Sequence, residues 1–174
     1  MKSMFGRILL AGALAATAGS AMAQESTNVV DVKSDWSVFT DENPKECWGV
    51  TAPKSSAATR DGTEVTVRRG EVQLFVTFRP GAGAAGEVSY TGGYPFADKS
   101  TVTVAIDGTT YEMFTDGEWA WPATPDADAQ LLAAMKKGAE AVITARSGRG
   151  TQTADTFSLR GFTAAMQEAE KRCQ

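Results

Sequence analysis

The chain has 174 residues, 17 basic and 21 acidic side chains, and no histidine. The missing imidazole excludes Ser-His-Asp and Cys-His nucleophilic sites and removes the commonest transition-metal ligand. A net charge of −4 argues against nucleic acid or anionic lipid as the main partner.

The N-terminus reads as a secretory signal peptide over residues 1–23. Lys2 and Arg7 form a positive n-region, Ile8 to Ala18 is apolar, and Ala21-Met22-Ala23 is an A-x-A cleavage signal. The apolar run is shorter than the roughly 20 residues of a membrane-spanning helix. No second such run follows, so no transmembrane segment is expected in the mature protein. Cleavage before Gln24 leaves 151 of the 174 residues, with 15 basic and 21 acidic side chains and a net charge of −6. The expected location is periplasmic or secreted. Residues 24–34 read as an N-terminal arm, either loose or an edge strand, and residues 35–174 as a single β-rich domain.

Most of that domain alternates with period two, the mark of half-buried strands. Val30, Val32, Trp36 and Val38 share one parity, as do Val65 and Val67, then Val72, Leu74, Val76 and Phe78. Residues 81–86, Gly-Ala-Gly-Ala-Ala-Gly, read as a mobile loop. Val102, Val104 and Ile106 alternate again up to Asp107-Gly108, a type I′ hairpin signal that pairs Val104 with Tyr111 and Val102 with Met113. A second signal, Asp116-Gly117, pairs Phe114 with Trp119 and Glu112 with Trp121. Met113 and Ala120 then share the aliphatic face, and Phe114, Trp119 and Trp121 the opposite one.

Thr124 is placed to N-cap a helix with Pro125 at its first position and Asp126 and Asp128 near its positive end. Leu131, Leu132, Met135 and Ala139 form its apolar stripe, and Gly138 fits the stop. The link from Trp121 is short, so this helix is expected to fold back and bury at least one of Trp119 and Trp121. Ala141, Ile143 and Ala145, then Phe157 and Leu159, give the last strands. A second helix runs from Phe162 to Arg172, with Phe162, Ala165, Met166 and Ala169 on one stripe. Many short strands with Gly-rich turns and two helices make a mainly β domain, a sandwich or a barrel.

Cys47 and Cys173 are the two cysteines. An even count in an exported chain predicts a disulfide between them, the alternative being two buried free thiols. No catalytic residues, metal ligands or cofactors are assigned. The carboxylates Asp107, Asp116, Glu118, Asp126, Asp128 and Asp155 leave a carboxylate-dependent hydrolase as one reading, although hairpin and helix-start positions explain most of them. The segment from Arg146 to Thr151 resembles an anion-cradling loop without P-loop spacing, and reads first as a turn between strands. The candidate partner-binding residues are Tyr94, Phe114, Trp119 and Trp121, because aromatic side chains dominate binding hot spots.

The C-terminal half carries a family resemblance. Leu131-Leu132-Ala133-Ala134-Met135-Lys136, then Ser147-Gly148-Arg149-Gly150-Thr151, then the run from Asp155 to Ala165 (D-T-F-S-L-R-G-F-T-A-A), with Trp36, Cys47 and Cys173, resemble the invasion-associated locus B family of alphaproteobacteria. That resemblance covers about residues 35–173. It implies an exported, immunoglobulin-like β-sandwich of short antiparallel strands with no known catalytic site. It also implies, for some relatives, a part in invasion of host cells. The leading functional reading is an envelope or secreted protein that binds a protein or glycan partner. The competing one is a structural or stress-related periplasmic protein without a dedicated ligand.

Overall fold

The computed structural model describes residues 28–174. The expected signal peptide and its cleavage site lie outside the described residues. The strands are β1 (Val29–Lys33), β2 (Trp36–Glu42), β3 (Lys45–Thr51), β4 (Ser55–Arg60), β5 (Thr63–Glu64), β6 (Gln73–Arg79), β7 (Ala84–Thr91), β8 (Thr101–Ile106), β9 (Thr109–Asp116) and β10 (Trp119–Trp121). Helix α1 (Pro125–Met135), strands β11 (Glu140–Arg146) and β12 (Gln152–Ser158), and helix α2 (Phe162–Arg172) complete the chain. Of the two forms open to the arm, residues 29–33 take the edge strand, paired with β2.

The twelve strands of the described residues join one antiparallel sheet in the order β1-β2-β3-β6-β7-β10-β9-β8-β11-β12-β4-β5. Period-two alternation carries one apolar face across it. Val38 lies opposite Gly49, Gly49 opposite Val76, Val76 opposite Val88, and Tyr90 opposite Ala120. Beyond them Val102 faces Met113, and Val104 lies between Tyr111 and Ile143. Four strands separate β7 from β12. Even so, the Tyr90 and Phe157 rings meet edge-on at 6.1 Å, and the Tyr90 hydroxyl donates to Asp155 at 2.6 Å. The sheet therefore curls until its inner face meets itself, giving two layers joined through β9 and β10.

The residues of the C-terminal motif are taken up by this closure. Ser158 offers its carbonyl to the Trp36 indole N–H at 3.0 Å, and Phe162 packs edge-on against the same indole at 4.9 Å. Gly161 sits at φ 85°, and a Cβ there would run into the Lys33 carbonyl. Helix α2 lies on β1, β2 and β3, with Phe162, Ala165, Met166 and Ala169 buried. At its end Cys173 is bonded to Cys47 of β3, with a Cα–Cα distance of 5.7 Å. The predicted pairing of the two cysteines is thus the one the structure contains.

Three local expectations are corrected. Residues 81–86 are a loop only at their start: Pro80–Ala82 form one 3-10 turn, β7 begins at Ala84, and Gly86 is a bulge at φ 109° where the β6–β7 register shifts. Val65 and Val67 lie beyond the two-residue β5, in an irregular segment leading to β6. The second hairpin turns one residue later than the Asp-Gly signal implies, which shifts the strand pairing by two. Trp119 pairs with Asp116 and Trp121 with Phe114, so the turn residues are Gly117 and Glu118. Gly117 at φ 59° supplies the positive φ that a II′ turn needs at its first central position. A shift of two residues preserves side-chain parity, so the predicted division of faces holds.

Candidate functional site: an open aromatic groove

Helix α1 does not cover the tryptophans. Thr124 caps it as expected, accepting from the Ala127 N–H. Its buried residues Leu131 and Met135, however, join the inner core, and its contacts are with β7. Two interactions fix it there. Asp128 accepts a hydrogen bond from the Val88 N–H at 2.8 Å, and Leu132 packs over Gly86. Trp119 is left 39 % exposed, Phe114 50 % exposed and Trp121 half-buried. The expected burial of a tryptophan beneath this helix is therefore overturned.

Trp119 and Trp121 alternate with the buried Ala120 and so project from the outer face. Their rings stack at 6.3 Å, and Phe114 lies 5.6 Å from Trp121. Phe75 of β6 extends the cluster, 5.6 Å from Trp119. On β3, Trp48 stands on the same outer face and stacks on Phe39 at 5.4 Å with an interplanar angle of 4°. Between these bulky groups the register places Thr77 and Ser89, whose short side chains leave a trough. The result is a solvent-open groove of about 410 Å³, walled by Trp48, Phe75, Trp119 and Trp121 and floored by Thr77 and Ser89. One end is polar: Arg79 bridges Glu46 at 2.6 Å and Glu87 at 3.1 Å.

Of the four residues singled out from sequence, Phe114, Trp119 and Trp121 come together and Tyr94 does not. Tyr94 is half-buried elsewhere, its hydroxyl 2.6 Å from that of Thr153 and its ring beside the Arg69 guanidinium at 6.0 Å. Trp48, Phe75 and the Glu46-Arg79-Glu87 cluster were not anticipated. The signal that finds the two aromatics is phase: each sits on a strand at the parity opposite to its buried neighbours, Cys47 and Leu74/Val76.

No two of the six carboxylates singled out from sequence line the same one of the cavities described. Asp107, Asp116, Glu118 and Asp126 are exposed. Asp155 is fully buried and accepts from Arg69 at 2.5 and 2.8 Å, from Ser56 at 2.5 Å and from Tyr90 at 2.6 Å. Burial alone would raise its pKa, but the hydrogen bonds from Arg69, Ser56 and Tyr90 outweigh it and hold the carboxyl below its ordinary value. Burial, reinforced by Asp155, pushes the Tyr90 phenol well above its ordinary value. A carboxylate so fully satisfied fits a structural ion pair better than a general acid or base. Among the described residues no group of three or more His, Cys, Asp or Glu is placed to hold a metal ion. Among them, too, no helix is long and apolar enough to cross a membrane.

A curled antiparallel sheet clamped by a terminal helix, with a disulfide at the clamp and aromatics on its outer face, defines a β-rich, disulfide-tied domain. The chain belongs to the invasion-associated locus B family, whose model, "Invasion associated locus B (IalB) protein", matches residues 36–170. Among solved structures it is similar to the crystal structure of invasion associated protein b from Bartonella henselae. That likeness has a TM-score of 0.55 at 16 % identity and covers 80 % of this chain and 94 % of the other. No curated protein matches the sequence.

Proposed function

We propose that this is an exported, non-catalytic protein of the envelope or medium that holds a protein or glycan partner in its outer aromatic groove, with a glycan favoured. The observation that carries this reading is the groove itself: tryptophans open to solvent on a domain whose core is complete without them. Exposed aromatics of this kind mark binding surfaces when they cluster. Sugar rings present apolar C–H faces and a rim of hydroxyls. Trp48, Trp119 and Trp121 suit the faces, while Thr77, Ser89 and the Glu46-Arg79-Glu87 group suit the rim. Export is supported by the N-terminal pattern and by the disulfide, which persists in oxidising compartments. The competing structural reading draws on the family motif, whose Asp155, Phe157, Ser158 and Phe162 are all taken up by packing.

The test is a titration of oxidised mature protein, starting at Gln24, with oligosaccharides released from bacterial envelope and host-cell surfaces, followed by tryptophan fluorescence. A saturable change is expected, weakened at least about tenfold in Trp119→Ala and Trp121→Ala. Absence of any saturable change, with both variants behaving as wild type, would leave the structural reading. A photo-crosslinker at position 119 that instead captures one defined envelope or host protein, competed by unlabelled protein, redirects the groove to a protein partner.

A further inference from the structure

We infer that a second concavity, separate from the aromatic groove, is a binding site for a tetrahedral oxyanion, a phosphate or sulfate group carried on a small molecule or a sugar. The inference stands whether or not the groove holds a glycan. The cavity, about 560 Å³, lies between the irregular segment after β5, the Gly93-Tyr94-Pro95 segment and the β11–β12 turn. Four arginines line it: Arg60, Arg68, Arg69 and Arg149. Glu118 is the one acidic residue in the lining.

In a chain with more acidic than basic side chains, four guanidinium groups around one cavity are an uneven use of charge. Only Arg69 is neutralised, by Asp155. Among the described residues Arg60, Arg68 and Arg149 make no ion pair, although the chain forms such pairs elsewhere. Like charges gathered in a concavity repel one another and raise the local potential, which a bound anion relieves.

Two of the four are also held in place. Arg69 is nine-tenths buried, and both of its terminal nitrogens donate to Asp155, which fixes the plane of the guanidinium. The fork keeps its Nε–H and outer N–H donors for another acceptor. Arg60 donates from Nε and a terminal nitrogen to the buried Thr151 hydroxyl at 3.2 and 2.7 Å, which leaves its remaining donors for a ligand. Tyr94, its hydroxyl bound to Thr153, forms an aromatic wall beside Arg69. Arg68 and Arg149 are exposed and line the cavity from two different segments, one after β5 and one in the β11–β12 turn. Guanidinium forks match oxyanions in pairs. Three uncompensated guanidinium groups against one carboxylate favour a tetrahedral oxyanion, whose three terminal oxygens can each accept from a fork, over a planar carboxylate. The Arg146–Thr151 segment is a turn, closed by Ser147 N–H to the Thr151 carbonyl at 2.8 Å and Thr151 N–H to the Ser147 hydroxyl at 3.1 Å. Its part in the site is to carry Arg149 and Thr151.

The experiment is calorimetric titration of oxidised mature protein at low ionic strength with inorganic phosphate, inorganic sulfate and acetate. Saturable binding of phosphate or sulfate is expected, with acetate much weaker and added salt weakening all three. Arg68→Gln combined with Arg149→Gln should weaken binding at least about tenfold, while Lys171→Gln, on the far end of α2, changes nothing. Phosphate set against sulfate shows which of the two groups the site prefers. If neither ion binds saturably, if acetate binds as well as both, or if the double variant binds undiminished, the inference is overturned. Should the double variant fail to fold, arginine Nε–H resonances of the wild-type protein carry the test. Those of Arg60, Arg68 and Arg149 should shift with the titrated ion, and their staying still would overturn the site.

Discussion

Asp155 offers the sharpest test of how the curled sheet is held closed. Its carboxylate is fully buried on β12 and accepts from Arg69, Ser56 and Tyr90, groups on three other segments of the chain. Asp155→Asn keeps the shape and removes the charge. Arg69, itself nine-tenths buried, is then a cation without a counter-ion. Removing one partner of a buried pair costs about 3–5 kcal/mol. At about 2–4 °C per kcal/mol for a domain of this size, the melting temperature should fall by roughly 6–20 °C. Differential scanning calorimetry of the oxidised protein reads this directly. The double variant Arg69→Gln, Asp155→Asn should lose less than the two single losses combined, because no unpaired charge remains. The pH dependence follows from the depressed pKa. Between the folded value and the ordinary carboxylate value near about 4, the unfolded chain binds more protons than the folded one. Stability from Asp155 is therefore complete above that window and is lost as pH falls through it. Asp155→Asn should flatten this part of the acid profile. A variant melting within about 2 °C of wild type, with an unchanged acid profile, would refute the ion pair as a stabilising contact.

Two further outcomes are expected. The Cys47–Cys173 bond spans a sequence separation of 126, for which the chain-entropy model gives a contribution of about 5 kcal/mol. Cys173→Ala, or reduction verified by thiol titration, should lower the melting temperature by more than about 10 °C and expose the end of α2 to proteolysis; an unshifted melt after complete reduction would contradict this. Gly161→Ala forces a Cβ against the Lys33 carbonyl in a left-handed conformation, strain of about 1–3 kcal/mol before any displacement of β1. Hydrogen exchange should quicken across Val29–Lys33, and unchanged exchange together with an unchanged melt would mean that β1 does not depend on this contact.

Local signals in the sequence are strong where one turn or one helix decides the outcome. Asp107-Gly108 has both residues at positive φ, and its register is the one the dipeptide implies. Thr124 and Pro125 start α1, and Phe162 and Arg172 bound α2. What was not legible is long-range. Strand β3 ends near the middle of one layer, whereas β4, the next in sequence, pairs at the far end of the sheet with β12. That jump depends on the sheet closing on itself. Closure rests on Tyr90, Asp155, Trp36 and Ser158, contacts separated by 65 and 122 residues, and no local pattern announces them.

The groove was half legible for the same reason. Phe114, Trp119 and Trp121 lie within one meander, so parity alone gathers them. Trp48 and Phe75 join only because β3 and β6 lie side by side, and β6 reaches β10 through β7. The fate of α1 was a long-range matter as well. An apolar stripe and a short link from Trp121 are compatible with either face of the sheet. The choice is made on β7, where the bulge at Gly86 leaves room for Leu132, and the Val88 N–H finds its acceptor in Asp128. With Leu131 and Met135 committed to the inner core, α1 has no second apolar stripe to lay over the tryptophans. A surface that the sequence would have paired with a helix is thus left to water. Its exposure follows from where a single bulge seats α1, and it is this exposure that turns an aromatic cluster from packing into a place for a partner.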